Sequence, residues 1–239
     1  MTRLSGMNDG EVKLLLLPGM DGTGDLFADL IAALPSWIMP CIVSYPRDKR
    51  LNYDQLMAGV RSALPSDGPF VILAESFSTP LAVKIAAECP KWLRALVLCA
   101  GFVSPPRRDF LSSITSVLAP LIFEFRMPES VCRRFLVGRT APQELVENVI
   151  STVSRVSPRV LAHRFRSVLS CNSKDELPRV SVPLLYVAGT EDRLVGKNSF
   201  EEIKDVKPTA LFAGVQAPHL ILQSNPRESA VIVEFLHKT

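Results

Sequence analysis

Cysteines are few in this chain and follow no pairing pattern. Cys41, Cys89, Cys99, Cys132 and Cys171 are scattered, odd in number and never form a Cys-x-x-Cys, which argues against a disulfide framework and against a zinc site. Histidine is scarcer still: only His163, His219 and His237 can supply an imidazole. Charge of one sign is not in excess. With 27 basic against 24 acidic residues, the net charge of +3 is too small to point to nucleic acid. No apolar run approaches the length of a membrane span. Residues Met1 to Gly10 lack the basic-then-apolar order of a signal peptide, so the expected compartment is the reducing cytoplasm. The chain has no internal repeat and no low-complexity tract.

What is present is a globular composition. Hydrophobic residues make up 47% of 239 and charged residues 21%, enough for one large, well-buried domain. Short apolar runs alternate with helical patterns. Strands are expected at Val12 to Leu17, Ile38 to Ser44, Phe70 to Ala74, Leu93 to Ala100, Pro183 to Ala188 and Ala210 to Ala213. Helices are expected at Asp25 to Leu34, Tyr53 to Leu64, Leu81 to Cys89, near Ser199 to Lys204, and from Pro226 to His237. Runs this apolar belong to strands covered on both faces, as in a parallel sheet with helices on either side. Between Phe102 and about Leu177 the alternation stops. Helical patterns punctuated by proline take over: Asp109 to Leu118, Pro128 to Val137, Pro142 to Val156 and Pro158 to Cys171, the last opened by Ser157-Pro158 as a cap-and-start pair. The expected organisation is a core of residues 1–101 and 179–239 with a helical cap at 102–178.

The most informative segment is Phe70 to Pro80. An apolar run ends in Ala74-Glu75-Ser76-Phe77-Ser78, and a helix start follows at once. Small residues two before and two after a serine are what a nucleophile elbow needs, because strand and helix pack closely there. Thr79 is expected to cap the helix and Pro80 to sit in its first turn. A serine hydroxyl is a weak nucleophile. It needs a base, and the base needs an orienting acid. His219 follows the last strand, where loops of an open α/β sheet build a site, whereas His163 falls in an arginine-rich helix and His237 near the end of the sequence. Asp192, in Ala188-Gly189-Thr190-Glu191-Asp192, also follows a strand, with Glu191 as its rival. The order Ser76, Asp192, His219 is the Ser…Asp…His order of α/β-hydrolases. An oxyanion hole needs backbone amides. One is expected from Phe77, and the other from Met20 in Leu17-Pro18-Gly19-Met20-Asp21-Gly22-Thr23-Gly24, whose glycines would let the backbone approach substrate. A phosphate loop is the rival reading of that segment. It lacks the Gly-Lys-Ser/Thr ending and the dinucleotide glycine order.

With these motifs in place, the chain resembles an α/β-hydrolase-fold serine hydrolase with a helical cap, of the carboxylesterase kind, over nearly its whole length. The resemblance implies about six mostly parallel strands flanked by helices, with the cap inserted after the strand at 93–100. It implies Ser76 as nucleophile, His219 as base, Asp192 as orienting acid, and neither metal nor organic cofactor. Three departures stand out. The first two antiparallel strands are missing from the pattern. The oxyanion loop reads Pro-Gly-Met where many members have His-Gly. The elbow has Ala74 and Ser78 in place of glycines. The implied reaction is cleavage of a small carboxylic ester through an acyl-enzyme. Acyltransferase or thioesterase chemistry on the same triad, a cyanohydrin lyase, and a non-catalytic binder on the same scaffold are the alternatives.

Between Phe102 and Leu177 there are eleven basic and seven acidic residues, a local +4 against −1 for the remainder. Solvated helix faces account for this. So would an acidic carrier protein steered to the cap, as for an esterase acting on a carrier-bound methyl ester. Leu111, Ile114, Leu118, Leu121, Ile122, Phe123, Phe125 and Phe135 are candidates for an acyl pocket, or for simple packing.

Overall fold

The computed structural model describes residues 11–106, 127–196, 198–225 and 229–238. Its strands are β1 (Val12–Leu17), β2 (Ile38–Ile42), β3 (Phe70–Glu75), β4 (Leu93–Cys99), β5 (Leu184–Gly189) and β6 (Leu211–Val215). They form one sheet in the order β2-β1-β3-β4-β5-β6, and every neighbouring pair is parallel. Side chains alternate between faces because successive residues of a strand point opposite ways. Leu15, Ile72, Ala74, Leu96 and Tyr186 enter one core layer, while Leu14, Leu16, Leu73 and Val97 enter the other. Both layers are built of buried apolar side chains, so the central strands read as unbroken apolar runs. Each fully buried leucine here contributes about 1.5–3 kcal/mol. Pro40 sits in β2, an edge strand, where a missing amide disrupts no central ladder.

Helices α1 (Ala28–Ala33), α2 (Tyr53–Ala63) and α3 (Thr79–Ala87) link the first four strands. Helix α1 covers one face through Leu30, while α2 and α3 cover the other through Leu56, Val60, Leu81 and Ile85. Asn52 and Gln55 form a reciprocal capping box at the start of α2 (Gln55 N–H to Asn52 Oδ1, 2.9 Å; Asn52 N–H to Gln55 Oε1, 3.0 Å). Between β4 and β5 come α4 (Glu129–Cys132), continued by a π turn at Arg133–Val137, then α5 (Gln143–Ser154) and α6 (Pro158–Leu169). Helices α7 (Asn198–Val206), α8 (Ile221–Ser224) and α9 (Ser229–Lys238) complete the chain. The helix expected at Asp109 to Leu118 lies outside the described residues.

Three expectations need adjustment, and one short helix stands where none is expected. Strand β2 stops at Ile42, short of Ser44, because the chain bends toward the loop after β1: Ser44 Oγ donates to the Thr23 carbonyl (2.8 Å) and the Tyr45 amide to that of Gly22 (2.7 Å). Thr79 is not a cap. It is the first residue of α3, and its hydroxyl accepts from the Phe102 amide (3.0 Å) while donating to the Ser76 carbonyl (2.8 Å). Ser157 does occupy the N-cap of α6 before Pro158, yet its side chain makes no capping bond; its amide donates to the Arg47 carbonyl instead (3.0 Å). The short helix α8, only four residues long, was too brief to leave a periodic signature.

Candidate active site

All six strands run the same way, so the loops after β1, β3, β5 and β6 gather at one end of the sheet. Ser76 follows β3 directly, in a 3₁₀ turn (Ser76–Ser78) that passes into α3. Its φ is +48°, a left-handed conformation costing a non-glycine residue on the order of 1–3 kcal/mol. That strain is the mark of an elbow that turns a side chain outward from a strand end. The two positions where glycine would be usual are wholly buried. Ala74 simply fits. The Ser78 hydroxyl donates to the Pro18 carbonyl and accepts from Tyr45 Oη (2.6 Å), so it stitches the elbow to the loop after β1. Tyr53 Oη donates to the Phe77 carbonyl (2.8 Å) and its ring stacks on that of Phe77, centroids 4.9 Å apart. Burial pushes both tyrosines well above the ordinary phenol range, so both stay protonated donors.

His219 Nε2 lies 2.8 Å from Ser76 Oγ, and its Nδ1 lies 2.8 Å from Asp192 Oδ2. The other Asp192 oxygen accepts from the amides of Leu194 (2.7 Å) and Val195 (3.1 Å). His219 is 4% exposed. Burial, the largest single influence, disfavours its charged form, but the charge and hydrogen bond of Asp192 and the charge of Glu75 outweigh it. His219 therefore titrates above its ordinary value. Glu191 is exposed, and its amide donates to the Ala217 carbonyl (3.0 Å), so it braces the loop rather than facing His219. Gly189 makes the loop pairing possible: a Cβ there would collide with the carbonyls of Ala217 and Pro218, two residues before His219 and next to it. His163 is half-buried within α6, its pKa lowered by burial and by Arg50 and Arg166, and His237 is exposed against Trp37.

In the loop after β1, the Gly22 amide donates to the Gly19 carbonyl (3.0 Å), making a tight turn with Met20 and Asp21 at its corner. Gly22 and Gly24 have φ of +67° and +79°, and a Cβ at either would strike Arg164 or Ile42. Asp21 is buried and accepts from the amide (2.9 Å) and hydroxyl (2.5 Å) of Thr23. Met20 and Phe77 thus sit on two turns that Ser78 holds together.

Two residues at the site were missed from the sequence. Glu75 precedes the serine and is fully buried. Its Oε2 accepts from Gln223 Nε2 (3.2 Å), while Oε1 has no partner among the described residues. Burial raises its pKa to about 7, against the opposing pull of His219. A carboxylate ending an apolar run was the available signal. The second is Arg164, counted as surface charge but buried; it lies four residues from both Val160 and Val168, on the apolar stripe of α6. Among the described residues no cluster of three or more His, Cys, Asp or Glu side chains is placed to hold a metal, and no helix is long and apolar enough to cross a membrane. All five cysteines are free thiols.

The family model described as serine aminopeptidase, S33, matches residues 47–211, more than half of the chain. No curated protein matches it in sequence. Solved structures do. A hydrolase from Oleispira antarctica superposes with a TM-score of 0.81 at 13% identity, covering 98% of this chain and 93% of its own. A thermophilic esterase from Thermogutta terrifontis gives 0.79 at 19% identity, covering 96% and 91%. The enol-lactonase from Burkholderia xenovorans gives 0.75 at 15%, covering 97% and 94%. At such identities the likeness is one of fold: the parallel sheet and flanking helices are those of the α/β-hydrolases.

Proposed function

We propose that this chain, which belongs to the serine aminopeptidase, S33, family of α/β hydrolases, cleaves small carboxylic esters through an acyl-enzyme on Ser76. The unbroken line from Ser76 Oγ through both nitrogens of His219 to Asp192, with each hydrogen bond at 2.8 Å, carries the reading. His219 Nε2 takes the hydroxyl proton as Ser76 Oγ attacks the ester carbonyl. Asp192 keeps the other proton on Nδ1 and stabilises the imidazolium that forms. The amides of Met20 and Phe77 receive the negative charge on the carbonyl oxygen, the latter at the start of a helix. His219 then protonates the leaving alcohol and activates the water that deacylates Ser76.

Residues 102–178 are proposed as the cap over this site. Support comes from its contacts with both halves of the machinery. The Leu136 carbonyl, in the π turn, accepts from the Leu220 amide next to His219 (2.9 Å), and Val156, Val160 and Leu161 pack on Met20. The apolar candidates from Leu111 to Phe125 lie outside the described residues. The proposed substrate is a small molecule. An acidic carrier has less to grip than the count of basic residues suggests: Arg164 is buried, and Arg133, Arg155 and Lys174 pair with Glu129, Asp25 and Glu202.

The test is a series of p-nitrophenyl esters of rising acyl length beside aminoacyl p-nitroanilides, with a fluorophosphonate to trap the nucleophile. We expect one covalent adduct per chain, at Ser76, and turnover of esters well ahead of anilides. An adduct elsewhere would overturn the nucleophile, and anilides cleaved faster would replace the esterase reading with an aminopeptidase. The pH profile carries a further prediction. The Glu75 carboxylate helps hold a proton on His219, and only neutral His219 acts as base, so kcat/KM should fall on the acid side near the raised pKa of His219. Glu75→Gln removes that charge, which is only partly present below about pH 7, so it lowers the His219 pKa and should move the acid limb modestly to lower pH. An unmoved limb would show that Glu75 and His219 do not communicate.

A further inference from the structure

Arg164 is 2% exposed and ranks among the largest fully buried side chains of the protein. A buried guanidinium is costly unless each donor finds an acceptor. Here the acceptors are main-chain carbonyls: Nη1 donates to Met20 (2.9 Å) and Asp21 (2.8 Å), and Nη2 to Pro46 (2.9 Å). Its Cζ lies over the rings of Tyr45 and Phe77, 5.6 and 6.0 Å from their centroids. The charge of Asp21 offsets the cost of burial at longer range.

These contacts converge on one short turn. The Gly22 amide closes it onto the Gly19 carbonyl, which orients the peptide that carries the Met20 amide. Arg164 takes the next two carbonyls, so both peptides on the far side of Met20 are also held. Gly22 lies against the guanidinium so closely that no side chain fits, which ties that glycine to the arginine. The Met20 side chain rests on Val156, Val160 and Leu161. The turn is thereby gripped from the helical insertion at both main chain and side chain.

We infer that Arg164 is a positioning residue for the oxyanion hole: a fork from helix α6 that sets the direction of the Met20 amide and couples the seating of the cap to catalysis. This inference rests on the acyl-enzyme reading of Ser76. Lysine cannot replace the fork, because a single ammonium on a flexible stem does not present two nitrogens in a fixed plane, one to the Met20 and Asp21 carbonyls and the other to that of Pro46. An amide displaced by a fraction of an ångström stabilises the developing oxyanion less, while the ground-state ester is bound much as before.

The test compares wild type, Arg164→Lys and Arg164→Met on the best p-nitrophenyl ester, with every rate normalised to sites titrated by fluorophosphonate and thermal unfolding run in parallel. Normalisation removes misfolded protein from kcat. We expect Arg164→Met to lose about 10- to 100-fold in kcat per titrated site with KM changed little, and to lose affinity for a boronic acid inhibitor in parallel. Arg164→Lys should fall between the two. A lowered melting temperature with unchanged kcat per site would overturn the inference and leave Arg164 a purely structural tie. Should Arg164→Met fail to fold, Arg164→Lys decides alone: wild-type kcat per site would overturn the proposal. Absence of labelling and turnover in the wild type would instead overturn the reading of Ser76 on which it rests.

Discussion

Ser76→Ala should lower kcat for ester hydrolysis by about a millionfold while leaving the protein folded. The reason lies in how the site is divided. In Ser76 one oxygen attacks the ester, carries the acyl group in the acyl-enzyme and is then displaced by water, and among the described residues no neighbouring hydroxyl stands in for it. Ser78, two residues on, is fully buried, with its oxygen engaged by Pro18 and Tyr45. The loss to the fold is small. Alanine keeps the Cβ that already tolerates φ of +48°, and only the 2.8 Å bond to His219 is given up, worth about 0.5–1.5 kcal/mol. Steady-state kinetics beside a melting curve separates the two effects. A mutant melting like wild type with turnover within a few fold of it would refute the assignment of the nucleophile.

Asp192→Asn should cost about ten-thousandfold in kcat with little change in structure. The geometry dictates the outcome of this nearly isosteric change. The amides of Leu194 and Val195 both donate to Oδ1, so an asparagine there must keep its carbonyl oxygen on them. Its NH₂ then faces His219 Nδ1, where Oδ2 now lies at 2.8 Å. Nδ1 becomes the acceptor, the proton moves to Nε2, and Nε2 no longer accepts from Ser76. The charge that raises the His219 pKa is lost as well. The measurement is kcat/KM across pH. A mutant that recovers wild-type activity at any pH would show that the acid acts only by tuning the titration of His219, and would discard the tautomer argument.

Much of the fold was readable because its central strands are covered on both faces. Burial on both sides leaves a continuous apolar run such as Leu14 to Leu17 or Val71 to Ala74, which stands out in any sequence. The edges read less well. Strand β6 keeps Leu211 and Phe212 exposed, and its limits were placed one to two residues early. Capping was readable only in part: Ser157 and Thr79 stand at helix starts, but the hydroxyl of Thr79 was claimed by Phe102, a residue on a different strand end. Local rules name the residues that suit a helix start; competition from distant partners decides which bonds form.

The site divides the same way. Chain order and position after strand ends nominated Ser76, Asp192 and His219, and the three side chains lie in hydrogen-bond contact because a parallel sheet delivers every such loop to one end whatever lies between. The sequence by itself therefore determined the layers, the central strands and the three residues whose side chains meet beyond them. Only the tertiary structure decided what stands behind them. Glu75 reads as a plain carboxylate until burial beside His219 raises its pKa to about 7, and Arg164 reads as surface charge until the turn at Met20 offers it two carbonyls. Both are charged groups whose behaviour depends on dielectric and on acceptors supplied by segments far away in sequence, and periodicity carries no record of either.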